Sequence, residues 1–100
     1  MRGGYYNKAG EAITQEQWGE LHVDPDYKVI ALETLSDGMK VSTVWLGINH
    51  AYSPELPPLI FETMIFSDDE ELNGQMWRYE TEEQARENHE QVVRTLKDNS

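Results

Sequence analysis

The sequence predicts an α+β domain in which a C-terminal amphipathic helix packs on an antiparallel sheet of four to five strands. Two observations lead to this fold class. Between residues 27 and 79, strand-length segments rich in β-branched and apolar residues alternate with turn residues. From residue 81 onward, the apolar residues instead follow the 3.6-residue period of a helix. We expect the order β-α-β-β-β-β-α within a single domain, residues 1–100.

The N-terminal segment is expected to form a strand or hairpin and then a short helix. Residues 5–13 hold turn residues between two short apolar pairs, as in a hairpin. Thr14 and Gln17 have the spacing of a capping box, which places a helix over residues 15–21. The Asp-Pro-Asp sequence at 24–26 then ends this helix.

Four strands are expected in the middle of the chain. Residues 27–35 and 39–48 form a hairpin, because a Ser-Asp-Gly turn separates them. The second of these strands carries apolar side chains on both faces, which indicates a central strand with cover on at least part of each side. Residues 59–66 and 76–79 supply the last two strands, joined by a polar connection that ends in Asn-Gly.

The C-terminal helix is predicted to begin at Thr81. This residue opens a second capping box with Gln84, and the two glutamates between them occupy the first turn, where the helix dipole favours negative charge. Four apolar residues lie on one stripe that we expect to pack on the sheet: Ala85, Val92, Val93 and Leu96.

Composition limits the classes of protein to consider. The absence of cysteine excludes a disulfide framework and a cysteine nucleophile, and it favours a reducing compartment. The N-terminus lacks the apolar segment of a signal peptide, and no apolar run is long enough to span a membrane. No nucleophile elbow or glycine-rich phosphate loop occurs, which disfavours an enzyme. We expect a cytoplasmic protein with no catalytic residue, no cofactor and no membrane contact.

Acidic residues dominate the surface charge. Nineteen acids oppose eight bases, for a net charge of −11, which disfavours direct contact with nucleic acid. The excess lies in the C-terminal half, where twelve acids oppose four bases. These acids either imitate a phosphate backbone or serve solubility, and both interpretations stay open. The candidate partner-binding residues among them are Asp68, Asp69, Glu70, Glu71, Glu82, Glu83, Glu87 and Glu90.

Two groups of residues are candidate metal sites. Residues 69–80 partly match the calcium loop of an EF-hand, with Gly74 at the turn. A glutamate at the third loop position and the strand pattern after the glycine favour a solvated hairpin loop instead. His50, Glu62 and His89 can bind zinc or exchange protons if they meet at one sheet edge. Their spacing gives no support to such a site, and His89 is also explained as a helix-flank residue.

Glu62 and two tryptophans are candidate residues on the strand faces. Glu62 interrupts an apolar strand, so its carboxylate must face solvent or pair with a base such as Arg78 or Lys40, and Arg78 is the expected partner across the sheet. Trp45 and Trp77 are expected on neighbouring strand segments, where they can share a face. An aromatic face without a covering helix would mark a partner surface.

Three segments carry a resemblance to a known family: V-S-T-V-W-L-G at 41–47, P-L-I-F-E-T-M-I-F at 58–66 and W-R-Y at 77–79. They resemble segments of small uncharacterised proteins encoded by tailed bacteriophages and prophages, and the likeness covers about residues 27–93. That group has no assigned activity, so the resemblance implies an origin and assigns no functional residue. The residues that match its pattern are Trp45, Gly47, His50, Glu62 and Trp77.

Three functions stay open from the sequence. The first is a phage-type accessory protein that binds a host or phage protein, as an interaction module or as an inhibitor of a host factor, through an acidic surface that imitates nucleic acid. The second is a virion or assembly component that associates with itself. The third is a metal-dependent enzyme that uses His50 and Glu62. The acidity favours the first, and the missing catalytic motifs disfavour the third.

Overall fold

The structure is a computed structural model that describes residues 4–49 and 57–98. It has the predicted α+β fold, with a four-stranded antiparallel sheet, a separate two-stranded sheet and a C-terminal helix packed on the larger sheet. In chain order the elements are β1 (Tyr5–Tyr6), β2 (Ala12–Ile13), α1 (Gln15–His22), α2 (Pro25–Lys28), β3 (Val29–Thr34), β4 (Lys40–Trp45), β5 (Phe61–Phe66), β6 (Met76–Tyr79) and α3 (Glu82–Asp98).

Two capping boxes fix the starts of the longer helices, as predicted. The Gln17 amide donates to Thr14 Oγ1 at 3.1 Å, and the Gln17 side chain accepts from the Thr14 amide at 3.0 Å. At the start of α3, the Gln84 amide donates to Thr81 Oγ1 at 3.1 Å. Each hydroxyl satisfies an amide that has no partner within the helix, which explains why α1 and α3 begin at these residues.

A short second helix follows α1 and was not predicted. The Asp24 side chain caps α2 by accepting from the Asp26 amide at 3.0 Å, and Pro25 occupies the first helical position. Proline ends one helix and suits the first turn of the next equally well, because that position needs no amide donor. Tyr27 and Lys28, which were expected in a strand, therefore belong to α2, and β3 begins at Val29.

The strand order β3-β4-β5-β6 makes β4 an inner strand, as predicted. Its side chains alternate, so that Val41, Thr43 and Trp45 face α3 and are fully buried. α3 contacts all four strands on this face, which we call the covered face. α3 packs on one face of the sheet, and on the opposite face of β4 the side chains of Ser42 and Val44 are half-buried.

Trp45 joins the core of the sheet to the N-terminal elements. Its indole donates to the Tyr6 carbonyl at 2.9 Å, and the Tyr27 ring packs edge-on against it at 4.9 Å. The Trp18 indole donates to the Leu46 carbonyl at 2.9 Å and so joins α1 to the end of β4. These contacts require a glycine at position 47. The backbone φ there is +73°, and any side chain at this position would point towards both indole rings.

We predict that Gly47→Ala destabilises the fold severely. A Cβ at this position would lie 2.5 Å from Trp45 and 2.7 Å from Trp18, in addition to the strain of a positive φ. Overpacking and backbone strain together are expected to lower the free energy of unfolding by about 3 kcal/mol. Gly10→Ala is the matched control, because Gly10 has φ of +83° and open space around it, and it should cost about 1 kcal/mol. Equal losses in urea unfolding would contradict this account of the core.

Candidate functional site

The face of the sheet opposite α3 carries a patch of apolar side chains, which we call the open face. Cross-strand pairing aligns its residues: Leu32 lies opposite Ser42, Ser42 opposite Met64, and Met64 opposite Met76. Six apolar residues form the patch, and four of them are exposed, by 40% for Val29, 59% for Leu32, 49% for Phe66 and 43% for Met76, whereas Val44 and Met64 are half-buried. An apolar face of this kind favours contact with another molecule.

Glu62 and Arg78 lie among these apolar residues and form the predicted cross-strand pair. They are directly opposite each other in the β5–β6 register, and Arg78 Nε lies 3.1 Å from Glu62 Oε2. The Glu62 side chain is only 12% exposed, so its carboxylate depends on this partner. The pair explains how an acid is accommodated within an apolar strand.

Acidic residues border the open face at its turn end. A cleft of about 600 Å³ between the β3–β4 turn and the β5–β6 loop is lined by Asp37, Asp68 and Asp69. Lys40 and Phe66, which pair across β4 and β5, continue this lining onto the open face. The apolar patch and the aspartates therefore form one continuous surface, which joins two of the acids singled out in the sequence to the strand face.

The β5–β6 loop is built as a turn. The Asp69 side chain accepts from the Glu71 amide at 2.9 Å, and the Asn73 side chain accepts from the Ser67 amide at 3.0 Å. Both side chains thus serve amides of their own loop, and Gly74 closes it with a φ of +87°. Across residues 4–49 and 57–98, no three His, Asp or Glu side chains are placed to bind a metal ion.

The remaining candidate acids lie along α3, and bases are interspersed with them. Glu82 pairs with Arg86 at 2.8 Å, while Glu83, Glu87 and Glu90 are exposed. From residue 82 to residue 98 the helix carries five acids and three bases. The loop segment 68–71 instead carries four acids in succession, so the strongest negative charge lies in this loop and not on the helix.

His89 is buried on the covered face, and its prediction as a helix-flank residue was wrong. Its Nδ1 lies 2.7 Å from Thr43 Oγ1, which also shares a hydrogen bond with Thr63 Oγ1. Glu62 alternates with Phe61 and Thr63 and so lies on the opposite face, which prevents it from converging with His89. The third residue of the predicted metal site, His50, lies outside the described residues.

Burial controls the protonation of this polar cluster. It lowers the pKa of His89, although the charges of Glu33 and Glu90 oppose the shift, so the ring is neutral at pH 7. Burial also raises the pKa of Tyr79, whose hydroxyl lacks a hydrogen-bond partner in the described part of the chain. The Thr63 hydroxyl lies close to the Tyr79 hydroxyl and partly opposes this rise in pKa, although the two groups are not placed for a regular hydrogen bond. The cluster is enclosed between α3 and the sheet, where it stabilises their packing.

Trp45 and Trp77 share the covered face, but they are not on neighbouring strands, because β5 separates β4 from β6. Trp45 is fully buried in the core, whereas Trp77 is 39% exposed beside α3. Only Trp77 of the two is therefore accessible to a partner.

Comparison with protein-family models, curated proteins and solved structures gives no match. The resemblance to phage-encoded proteins stays a prediction. Within the described ranges, no helix reaches the length and apolar content that crossing a membrane requires. The function must therefore be inferred from the surfaces.

We predict that His89 makes the fold sensitive to mild acid. Because its pKa in the folded protein lies below the ordinary value of 6.5, the unfolded chain binds a proton first as the pH falls. Stability should be unaffected by this group above pH 6.5 and should decrease below it, by at most about 1.4 kcal/mol per pH unit.

Urea unfolding at pH 7.5 and 5.5 tests this prediction. His89→Gln keeps an amide near Thr43 and cannot titrate, so it should lose less stability between the two pH values than the wild type. His22→Gln is the control for the other described histidine, whose pKa burial and Lys28 also lower. An unchanged pH dependence in His89→Gln would show that His89 does not titrate as described.

We predict that removing one partner of the Glu62–Arg78 pair costs more than removing both. Arg78→Thr leaves a largely buried carboxylate without its base and should lower the free energy of unfolding by about 1–2 kcal/mol. Glu62→Thr/Arg78→Thr replaces the pair by two strand-forming residues and should recover most of that loss. A double variant less stable than Arg78→Thr would contradict the pairing.

Proposed function

We propose that the protein is a protein-interaction module whose open face binds a partner with an apolar surface bordered by basic residues. The observation that carries the proposal is the exposure of Val29, Leu32, Phe66 and Met76 together on one sheet face. Burying such side chains is the main source of affinity in protein association. The chemistry of the face thus favours binding over catalysis.

The acidic residues around the open face indicate which charge the partner carries beside its apolar contact. Asp37, Asp68 and Asp69 border the patch at the cleft, and Glu70 and Glu71 follow in the same loop. Lys40 is the base at this end of the patch, whereas Arg78 is engaged by Glu62. A partner with lysine or arginine residues beside its apolar contact would therefore be attracted and oriented by the loop.

Self-association through the open face is the less favoured alternative. Four strands of four to six residues present a flat area of roughly 350 Å² per copy, so two copies would bury roughly 700 Å², less than the ~1,200 Å² of a stable interface. Two copies would also bring two sets of loop aspartates into one interface. A partner that contacts both the patch and the loop gains area and avoids this repulsion.

Imitation of nucleic acid has weaker support, because three bases interrupt the five acids of α3. The four consecutive acids of the β5–β6 loop are the stronger source of electrostatic attraction. The phage-type accessory role fits a small interaction module, and inhibition of a host factor would follow if the open face covered that factor's own binding surface.

We predict that Leu32→Thr/Phe66→Thr loses the partner. Both substitutions keep strand propensity and net charge while removing apolar contact area, so binding should weaken at least about tenfold. The measurement is affinity capture from a lysate of the cells that encode the chain, followed by titration of each captured protein. Glu83→Gln/Glu87→Gln on the outer side of α3 is the matched control.

The proposal requires that at least one captured protein binds the wild type and the helix control equally. The same protein must not bind the open-face variant. Its binding should also weaken between low and high salt, because the loop acids contribute. Loss in the helix control with retention by the open-face variant would instead favour imitation of nucleic acid by α3. Equal binding to all three baits would contradict the proposal.

A further inference from the structure

β6 is an edge strand whose outer side has no partner in the described part of the chain. The Gln75 carbonyl accepts from the Ile65 amide at 3.0 Å, and the Tyr79 carbonyl accepts from the Ile60 amide at 3.0 Å, so both face β5. Because successive residues of a strand alternate their backbone direction, Met76 and Arg78 direct their amides and carbonyls outward. This edge can accept another strand.

β6 is short, but it lacks the proline, the lysine and the register irregularity that also protect edge strands. The four residues Met-Trp-Arg-Tyr include neither proline nor lysine, and the guanidinium of Arg78 turns to Glu62 across the sheet. The opposite edge, β3, contains a register shift between Val29 and Ala31, whereas β6 pairs with β5 without one. Such irregularities hinder strand addition, so β6 is the more receptive edge.

A groove of about 340 Å³ runs beside this edge, between β6 and α3. The exposed ring of Trp77 stands in it, and Val92 and Leu96 of α3 form the other wall. Every residue that lines the groove is uncharged, although the whole chain carries a net charge of −11. An uncharged groove next to unpaired backbone groups matches a ligand with apolar side chains on an extended backbone.

We propose that β6 binds an extended segment of a partner protein by strand addition, with alternate apolar side chains of the segment in the groove and basic residues at its two ends. This surface uses the backbone of Met76, whereas the open face uses its side chain, and the inference does not depend on the function proposed above. Main-chain hydrogen bonds to Met76 and Arg78 supply affinity, while the groove beside Trp77 selects the side chains.

Charge favours a foreign segment over a second copy as the occupant of this edge. Glu70 and Glu71 precede β6, and Glu80 and Glu82 follow it. Antiparallel pairing of two copies would bring the acids after one β6 next to the acids before the other, at both ends of the added strand. Lysine or arginine residues that flank an apolar segment would instead meet acids at both ends.

The test uses a labelled synthetic peptide, Lys-Lys-Thr-Ile-Thr-Ile-Thr-Lys-Lys, titrated against the intact protein by fluorescence anisotropy. Two derivatives carry N-methyl groups either on the threonine amides or on the isoleucine amides. Only one edge of an added strand faces β6, so one derivative should bind as the parent peptide does and the other at least tenfold more weakly. A third peptide with glutamate in place of each lysine should also bind at least tenfold more weakly.

A protein variant provides the reciprocal test. Met76→Pro removes an outward amide without breaking a bond to β5, and proline is tolerated at such edge positions. It should weaken binding of the parent peptide at least tenfold, whereas Met76→Thr, which keeps the amide, should not. Leu32→Thr/Phe66→Thr should leave peptide binding unchanged, which separates this surface from the open face.

The proposal is overturned if both N-methylated peptides bind as the parent does, if both lose binding equally, or if Met76→Pro binds as well as Met76→Thr. Backbone amide resonances provide an independent map. Peptide binding should shift the resonances of residues 76–79 and the indole resonance of Trp77, and shifts confined to other residues would also overturn it.

Discussion

A sheet has two faces, and in this chain a single long helix, α3, packs against one face of the four-stranded sheet. Strand alternation then divides the residues of β3 to β6 into two sets, one buried beneath α3 and the other directed away from it. Trp45, Phe61 and the Thr43–His89 cluster belong to the first set, and Leu32, Phe66 and the Glu62–Arg78 pair belong to the second. Both proposed binding surfaces follow from this arrangement, since α3 leaves the open face uncovered and only partly fills the space beside β6.

Local signals predicted most of the fold. The two capping boxes and the Ser-Asp-Gly turn act between residues close in sequence, so their outcomes follow from local geometry. Glu62 and Arg78 were paired correctly because Glu62 is an acid within an apolar strand and Arg78 is a base on the next strand. Asp24 and Pro25 were interpreted only as an end to α1, although the same two residues are also good signals for a helix start.

The burial of His89 could also have been predicted from the sequence, because His89 lies four residues after Ala85 and within the same helical stripe. Its polar side chain excluded it from a stripe defined by apolar residues, and only the position of Thr43 across the interface makes its burial favourable. The open face was missed for a different reason. Alternation shows that a strand has two faces, but which face a distant helix covers depends on tertiary packing. The cleft that Asp37 and Asp68 share likewise depends on two turns, whose aspartates are 31 residues apart in sequence.

Partner binding through the open face requires that this face is accessible to solvent in the free protein. Relaxation of methyl resonances by a soluble gadolinium chelate measures this accessibility directly. Val23, which is 78% exposed, and Val41, which is fully buried, provide internal references for the two extremes. Methyl groups of Leu32 and Met76 should relax nearly as fast as those of Val23. Relaxation as slow as that of Val41 would show that the face is already covered and would contradict the account.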